Sequence, residues 1–152
     1  MTARRGTSVR EPNKFGAARP EELAAFEAQQ QVELPPDYRQ FILDNNGGRP
    51  QKNIHPALQT DVNWLFGFNR KPDWASIYWN IETYEGRLPE RTLPLGCDSG
   101  GNLYLQRLDR EHYGAIVFWD HEREAEAGGG ARIAGMPVVA DGFSAFLDQL
   151  TE

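Results

Sequence analysis

The sequence predicts an α+β fold in a single domain, with helices packed on an antiparallel sheet. Three observations carry this expectation. Apolar residues recur at helical spacing in residues 34–48 and again at the C-terminus. Between them, the apolar segments 93–97, 102–108 and 115–120 are joined by short connections, which implies antiparallel neighbours in a meander. The 152 residues fit one core of ordinary size and leave no room for a second.

The elements follow in order along the chain. Residues 1–16 mix Arg, Gly, Ser, Thr and Pro without any period and read as a flexible arm or an expression remnant, with the domain proper at 17–152. A first helix is expected from Pro20, a residue suited to the first turn, with Glu21 and Glu22 on the positive end of the dipole and Leu23 and Phe26 facing inward. In the second helix Tyr38, Phe41 and Ile42 fall at i, i+3 and i+4. Pro35 and Pro36 mark its start, and Asn45-Asn46-Gly47-Gly48 its stop. Residues 62–68 alternate Val62, Trp64, Phe66 and Phe68 and read as a strand. Asp73 is a plausible N-cap for a helix with the stripe Trp74, Ile77, Tyr78, Ile81 and Tyr84, which leaves Trp79 off the stripe. After the meander, a glycine loop (Gly128, Gly129, Gly130) precedes a last strand at 136–140. The final helix carries Phe143, Phe146, Leu147 and Leu150.

Composition narrows the class. Hydrophobic residues make up 39% and charged residues 25%, which excludes a collagen, a coiled coil or a disordered chain. No apolar run approaches the length of a membrane span, and no apolar stretch follows the N-terminal charges as a secretory signal would require. The single cysteine, Cys97, cannot form an internal disulfide, so a cytoplasmic location is expected. The net charge of −6 is unevenly placed. Residues 1–19 hold Arg4, Arg5, Arg10, Lys14 and Arg19 against Glu11, a local +4, so the other 133 residues carry −10. Such a body repels phosphate backbones and is steered toward a basic partner, which disfavours direct nucleic-acid binding.

The chemistry-bearing residues cluster in two places. Asp98-Ser99-Gly100-Gly101-Asn102 reads first as a hairpin turn, since these residue types tolerate positive φ or bond their own backbone. Its other reading is a polar ligand loop. Trp119-Asp120-His121-Glu122 ends the buried strand, and consecutive residues there point to opposite faces, so at most two side chains converge. No metal-ligand spacing supports a metal site or cofactor. A hydrolase using Asp98, Asp120 and His121 is the weakest reading, and no enzyme is expected. His55 reads as a loop residue and Cys97 as a small core residue. Trp64, Trp74 and Phe118 are assigned to the core by periodicity. Trp79, Tyr104 and Trp119, beside Glu82, Glu85, Asp98 and Asp120, suit either the core edge or a protein–protein hot spot.

These residues together resemble the SUKH superfamily, which includes fungal regulators of cell-wall synthesis and many bacterial immunity proteins. The matching features are the LPPDY-start helix ending in Asn46-Gly47-Gly48, the middle aromatic strand and helix leading to Leu88-Pro89, and Leu93-Pro94-Leu95-Gly96 with Asp98 and Gly101-Asn102-Leu103. They continue with Gly114 before Val117-Phe118-Trp119-Asp120-His121-Glu122, and Ala140-Asp141 before the last helix. The resemblance covers residues 20–150 and implies an α+β fold. It further implies a non-enzymatic protein that binds and neutralises a toxin, often a nuclease domain, with a binding surface at the positions matching the Asp98–Asn102 turn and the Trp119–His121 strand end. With Trp79, Tyr104 and Glu82 added from the hot-spot reading, the expected contact set is Asp98, Ser99, Asn102, Tyr104, Trp119, Asp120, His121, Trp79 and Glu82. An adaptor of the same fold with a housekeeping partner is the alternative, and the aromatic surface would suit a homodimer equally well.

Overall fold

Prolines start the first two helices and left-handed residues end them. In the computed structural model, which describes residues 9–121 and 136–152, helix α1 spans Pro20–Gln30 and α2 spans Pro36–Asn45. Each starts on a proline, whose missing N–H has no partner to lose in the first turn. Each ends on a residue in left-handed conformation, Gln31 (φ 57°) and Asn46 (φ 47°). Asn46 also ties distant backbone together: its Oδ1 accepts from Phe68 N at 2.7 Å and its Nδ2 donates to the Gly16 carbonyl at 2.8 Å. Gly47 (φ 89°) follows because a Cβ there would overlap the Leu65 carbonyl oxygen.

The core of the fold is a five-stranded antiparallel sheet in sequential order: β5 (Trp64–Leu65), β6 (Thr92–Cys97), β7 (Leu103–Arg107), β8 (Ile116–Trp119) and β9 (Val138–Ala140). The meander expected from the short connections is therefore present. Every residue of β8 is buried, as an apolar run on both faces requires. Four two-residue strands form two small ladders, β1 (Val9–Arg10) with β2 (Arg49–Pro50) and β3 (Ile54–His55) with β4 (Thr60–Asp61). The last helix, α4 (Phe143–Gln149), buries Phe143, Phe146 and Leu147. Phe143 packs on Tyr38 and Phe41 of α2, and Phe146 on Tyr104 of β7. Its N-terminus has a glycine at the cap position. The Asp37 carboxylate of α2 substitutes, accepting from both the amide and the hydroxyl of Ser144 at 2.9 Å.

Four expectations change. Residues 9–16, expected as part of a flexible arm, lie against the domain: Val9–Arg10 forms β1, Asn13 N donates to the Asn45 carbonyl at 2.8 Å, and Phe15 packs on Trp64 and Trp74. Aperiodic sequence concealed this because the contacts are single anchors rather than a repeating face. The strand expected over 62–68 is ladder-paired only at Trp64–Leu65, although Val62, Trp64, Phe66 and Phe68 are all buried. The helix expected from Asp73 is split into a 3-10 turn (Asp73–Ala75) and α3 (Ile77–Thr83), with Ser76 as the true N-cap, its Oγ accepting from Trp79 N at 3.1 Å. Trp74 therefore sits outside the helical stripe and is 51% exposed instead of core. His55, expected in a loop, is buried, stacked on Phe146, with Nε2 3.1 Å from Gln149 Oε1. The glycine loop 128–130 and Glu122 lie outside the described residues.

Candidate functional site

The β6–β7 hairpin closes on a turn with one buried carboxylate at its centre. Asp98 is buried, and its Oδ1 accepts from Gly100 N (2.9 Å) and Asn102 N (2.8 Å). Its Oδ2 accepts from Thr60 Oγ1 and from Asn102 Nδ2, both at 3.0 Å. A buried carboxylate costs little only when its lone pairs are met by donors, and four donors meet it here. Gly101 takes φ 89° within the turn, which a side chain would strain.

Asn102 passes the order of the turn on to the end of β8. Because Nδ2 is committed to Asp98, Oδ1 faces the other way and receives His121 N at 3.2 Å, with His121 Nδ1 at 2.7 Å. An amide oxygen only accepts, so His121 carries a proton on Nδ1. Asp61, on β4, holds the turn from the other side. Its carboxylate accepts from the amide (2.8 Å) and the hydroxyl of Ser99, and its backbone carbonyl accepts from the Tyr104 hydroxyl at 2.9 Å.

Burial and two nearby carboxylates decide what the Cys97 thiol can do. Burial first, then the charges of Asp98 and Asp61, push its pKa up to about 11, so it stays a thiol at neutral pH and is a poor nucleophile. Burial, with the same two charges, also pushes the Tyr104 phenol far up. Among the described residues, no group of three His, Cys, Asp or Glu is placed to hold a metal ion. Asp98 and His121 are joined through Asn102 rather than to each other, and both Asp98 oxygens are committed to the turn.

The expected contact residues thus fall into three groups. Ser99, Asn102 and His121 form one surface with Asp98 as its buried brace, and half-buried Asp120 precedes His121. Tyr104 and Trp119 are buried, at 0% and 2% exposure, which corrects their expected placement on a contact surface. Trp119 packs edge-on against Tyr84 (5.2 Å), with the Arg87 guanidinium 5.3 Å from both rings, and its buried indole N–H has no hydrogen-bond partner among the described residues. In both strands apolar residues run consecutively, Leu103-Tyr104-Leu105 and Ile116–Trp119, and alternation there cannot tell a buried aromatic from an edge one. Trp79 (36% exposed) and Glu82 lie on α3, where Glu82 pairs with Arg70 at 3.4 Å. No hydrogen bond or ring contact joins them to the Asp98 turn. Thr60 and Asp61 were missed by sequence reasoning because a two-residue ladder leaves no periodic signal.

A five-stranded meander with α2 and α4 packed on it, its central hairpin turn tied to the end of β8 by Asp98, Asn102 and His121, defines a SUKH-type α+β domain. A family model for the SMI1 / KNR4 family (SUKH-1) matches residues 17–149, and the chain belongs to that family. This places it in a superfamily of immunity proteins and regulators. No curated protein matches the chain. No helix among the described residues is long and apolar enough to cross a membrane.

Proposed function

We propose that this protein is a cytoplasmic immunity protein that binds a cognate basic toxin, of nuclease type, and neutralises it by covering its active cleft without catalysis. The observation that carries the reading is the charge division: residues 20–152 hold −10, within a family of immunity proteins and regulators. A nuclease is positive where it grips its substrate. An acidic body meets that cleft with complementary potential, which speeds association and blocks phosphate entry.

Within that body, Ser99, Asn102, Asp120 and His121, with Trp79 and Glu82, are the surface groups we assign to the toxin contact. Asp98 is assigned to shaping it, and Tyr104 and Trp119 to supporting it from the core. The contact surface is prearranged by hydrogen bonds, so little ordering remains to be done on binding. The test is capture from a lysate of the source organism, with the full chain as bait and a salt gradient for elution. Recovery of one basic domain at 1:1, with loss of that domain's activity, is the expected result. Recovery of cell-wall or signalling components would favour the adaptor role instead.

A further inference from the structure

A second surface, opposite in charge to the body, is built where the N-terminal segment joins the domain. In the β1–β2 ladder Val9 stands opposite Pro50 and Arg10 opposite Arg49. Directly opposed residues project from the same face, and Pro50 is buried, so the Val9–Pro50 pair faces inward and the arginines outward. Two like charges opposed in this way destabilise a ladder of only two residues. Neither arginine has an ion-pair partner among the described residues, and Glu11, next to Arg10 in the chain, pairs with Lys14 (3.3 Å). A single arginine would guard an edge strand against stray pairing. The second adds repulsion, which an anion lying between the two would relieve.

An aromatic anchor stands beside this pair. Gly48 and Leu65 exchange backbone hydrogen bonds at 2.9 and 2.8 Å, so Arg49 runs alongside Trp64. Trp64 contacts Trp74 edge-on at 5.2 Å, and Phe15 packs on both at 5.7 and 5.9 Å, with Lys14 Nζ 5.9 Å from the Trp64 ring. Trp74 thus packs on two rings while remaining 51% exposed, the most exposed aromatic ring of the described residues. A half-exposed tryptophan beside unpaired arginines is the residue set that dominates protein contacts.

We infer that Arg10, Arg49 and Trp74 form a docking surface for an acidic segment of a partner protein, with an apolar side chain of that segment seated on Trp74. The charge pattern selects a protein segment over a nucleic acid. A short acidic peptide meets only the local positive field, whereas a polynucleotide running past it meets the −10 body. This surface is independent of the toxin reading, which uses the acidic part of the chain.

The test uses the full chain and a ten-residue probe peptide of seven Glu and three Leu, followed by tryptophan fluorescence at low salt. The wild type is expected to bind it, and to lose most of that binding at 0.5 M salt, because exposed charges are screened. R10E/R49E is expected to bind at least tenfold more weakly, and Trp74→Ala several-fold more weakly. The single change R49E sets opposite charges face to face, so its Tm should hold or rise by ~1–3 °C while binding falls. That combination separates a lost site from a lost fold. Unchanged binding by R10E/R49E would overturn the inference. So would tighter binding of a ten-nucleotide single strand than of the peptide, or self-association of the wild type that R10E/R49E abolishes.

Discussion

His121 Nδ1 lies 2.7 Å from Asn102 Oδ1, and the other end of the same Asn102 side chain donates to Asp98 at 3.0 Å. One amide therefore couples a buried carboxylate in the β6–β7 turn to an imidazole at the end of β8. Asp98 on one side and the His121 backbone N–H on the other orient the Asn102 amide, and that orientation places a proton on His121 Nδ1.

Asn102→Asp tests this coupling. The new carboxylate faces Asp98 Oδ2 without a donor between them, and it repels instead of bonding. The variant should lose ~2–3 kcal/mol of stability at pH 7. A carboxyl raised above its unfolded pKa destabilises increasingly as pH rises, so part of the loss should return as pH falls toward 5. Urea unfolding at both pH values reads the difference, and a loss independent of pH would contradict the coupling.

Cys97 should be slow to alkylate. Its pKa of about 11 leaves roughly a hundredfold less thiolate at pH 7.5 than an unfolded cysteine carries. Iodoacetamide labelling followed by mass spectrometry, with and without denaturant, should show about that ratio. Equal rates would mean that the thiol does not sit in the acidic, buried setting described.

Arg107 and Asp109 make a two-point pair, Nε to Oδ1 at 2.8 Å and Nη2 to Oδ2 at 2.7 Å, and the arginine holds the Asp109 carboxyl below the usual range. A lowered carboxyl stabilises above its unfolded pKa, and that contribution is lost as pH falls through the folded value. Asp109→Asn should cost ~0.5–1 kcal/mol at pH 7, as partly exposed pairs do, and the gap to wild type should close below about pH 4. Thermal melts across that range provide the check.

Phe15→Ala distinguishes a docked N-terminal segment from a free arm. Phe15 fills space against Trp64 and Trp74, so its loss should destabilise the chain by ~1–3 kcal/mol. A free arm would show no change in urea midpoint.

What could be read from the sequence follows the periodic signals. The starts of α1 and α2, the meander and the apolar face of α4 all announce themselves through proline, repeated spacing and turn residues, and each is present. The resemblance extended that reading to the family. Isolated contacts were not legible. Trp74 sits one turn before a helix start set by Ser76, so the stripe that claimed it as core did not reach it. His55 and Phe15 are buried or docked by two long-range partners each, which no local pattern encodes. At the site, the Asp98 turn was visible because turn chemistry is local. Its brace from Asp61 and Thr60 was not, since 38 positions separate Asp61 from Ser99.

The most direct test of the immunity reading is the association rate of the purified full chain with the captured toxin domain, measured by stopped flow across a salt series. An acidic body closing on a basic cleft predicts a rate that falls at least tenfold between ~50 and ~500 mM salt, together with stoichiometric inhibition of the toxin. A rate indifferent to salt, or binding that leaves the toxin active, would contradict the reading.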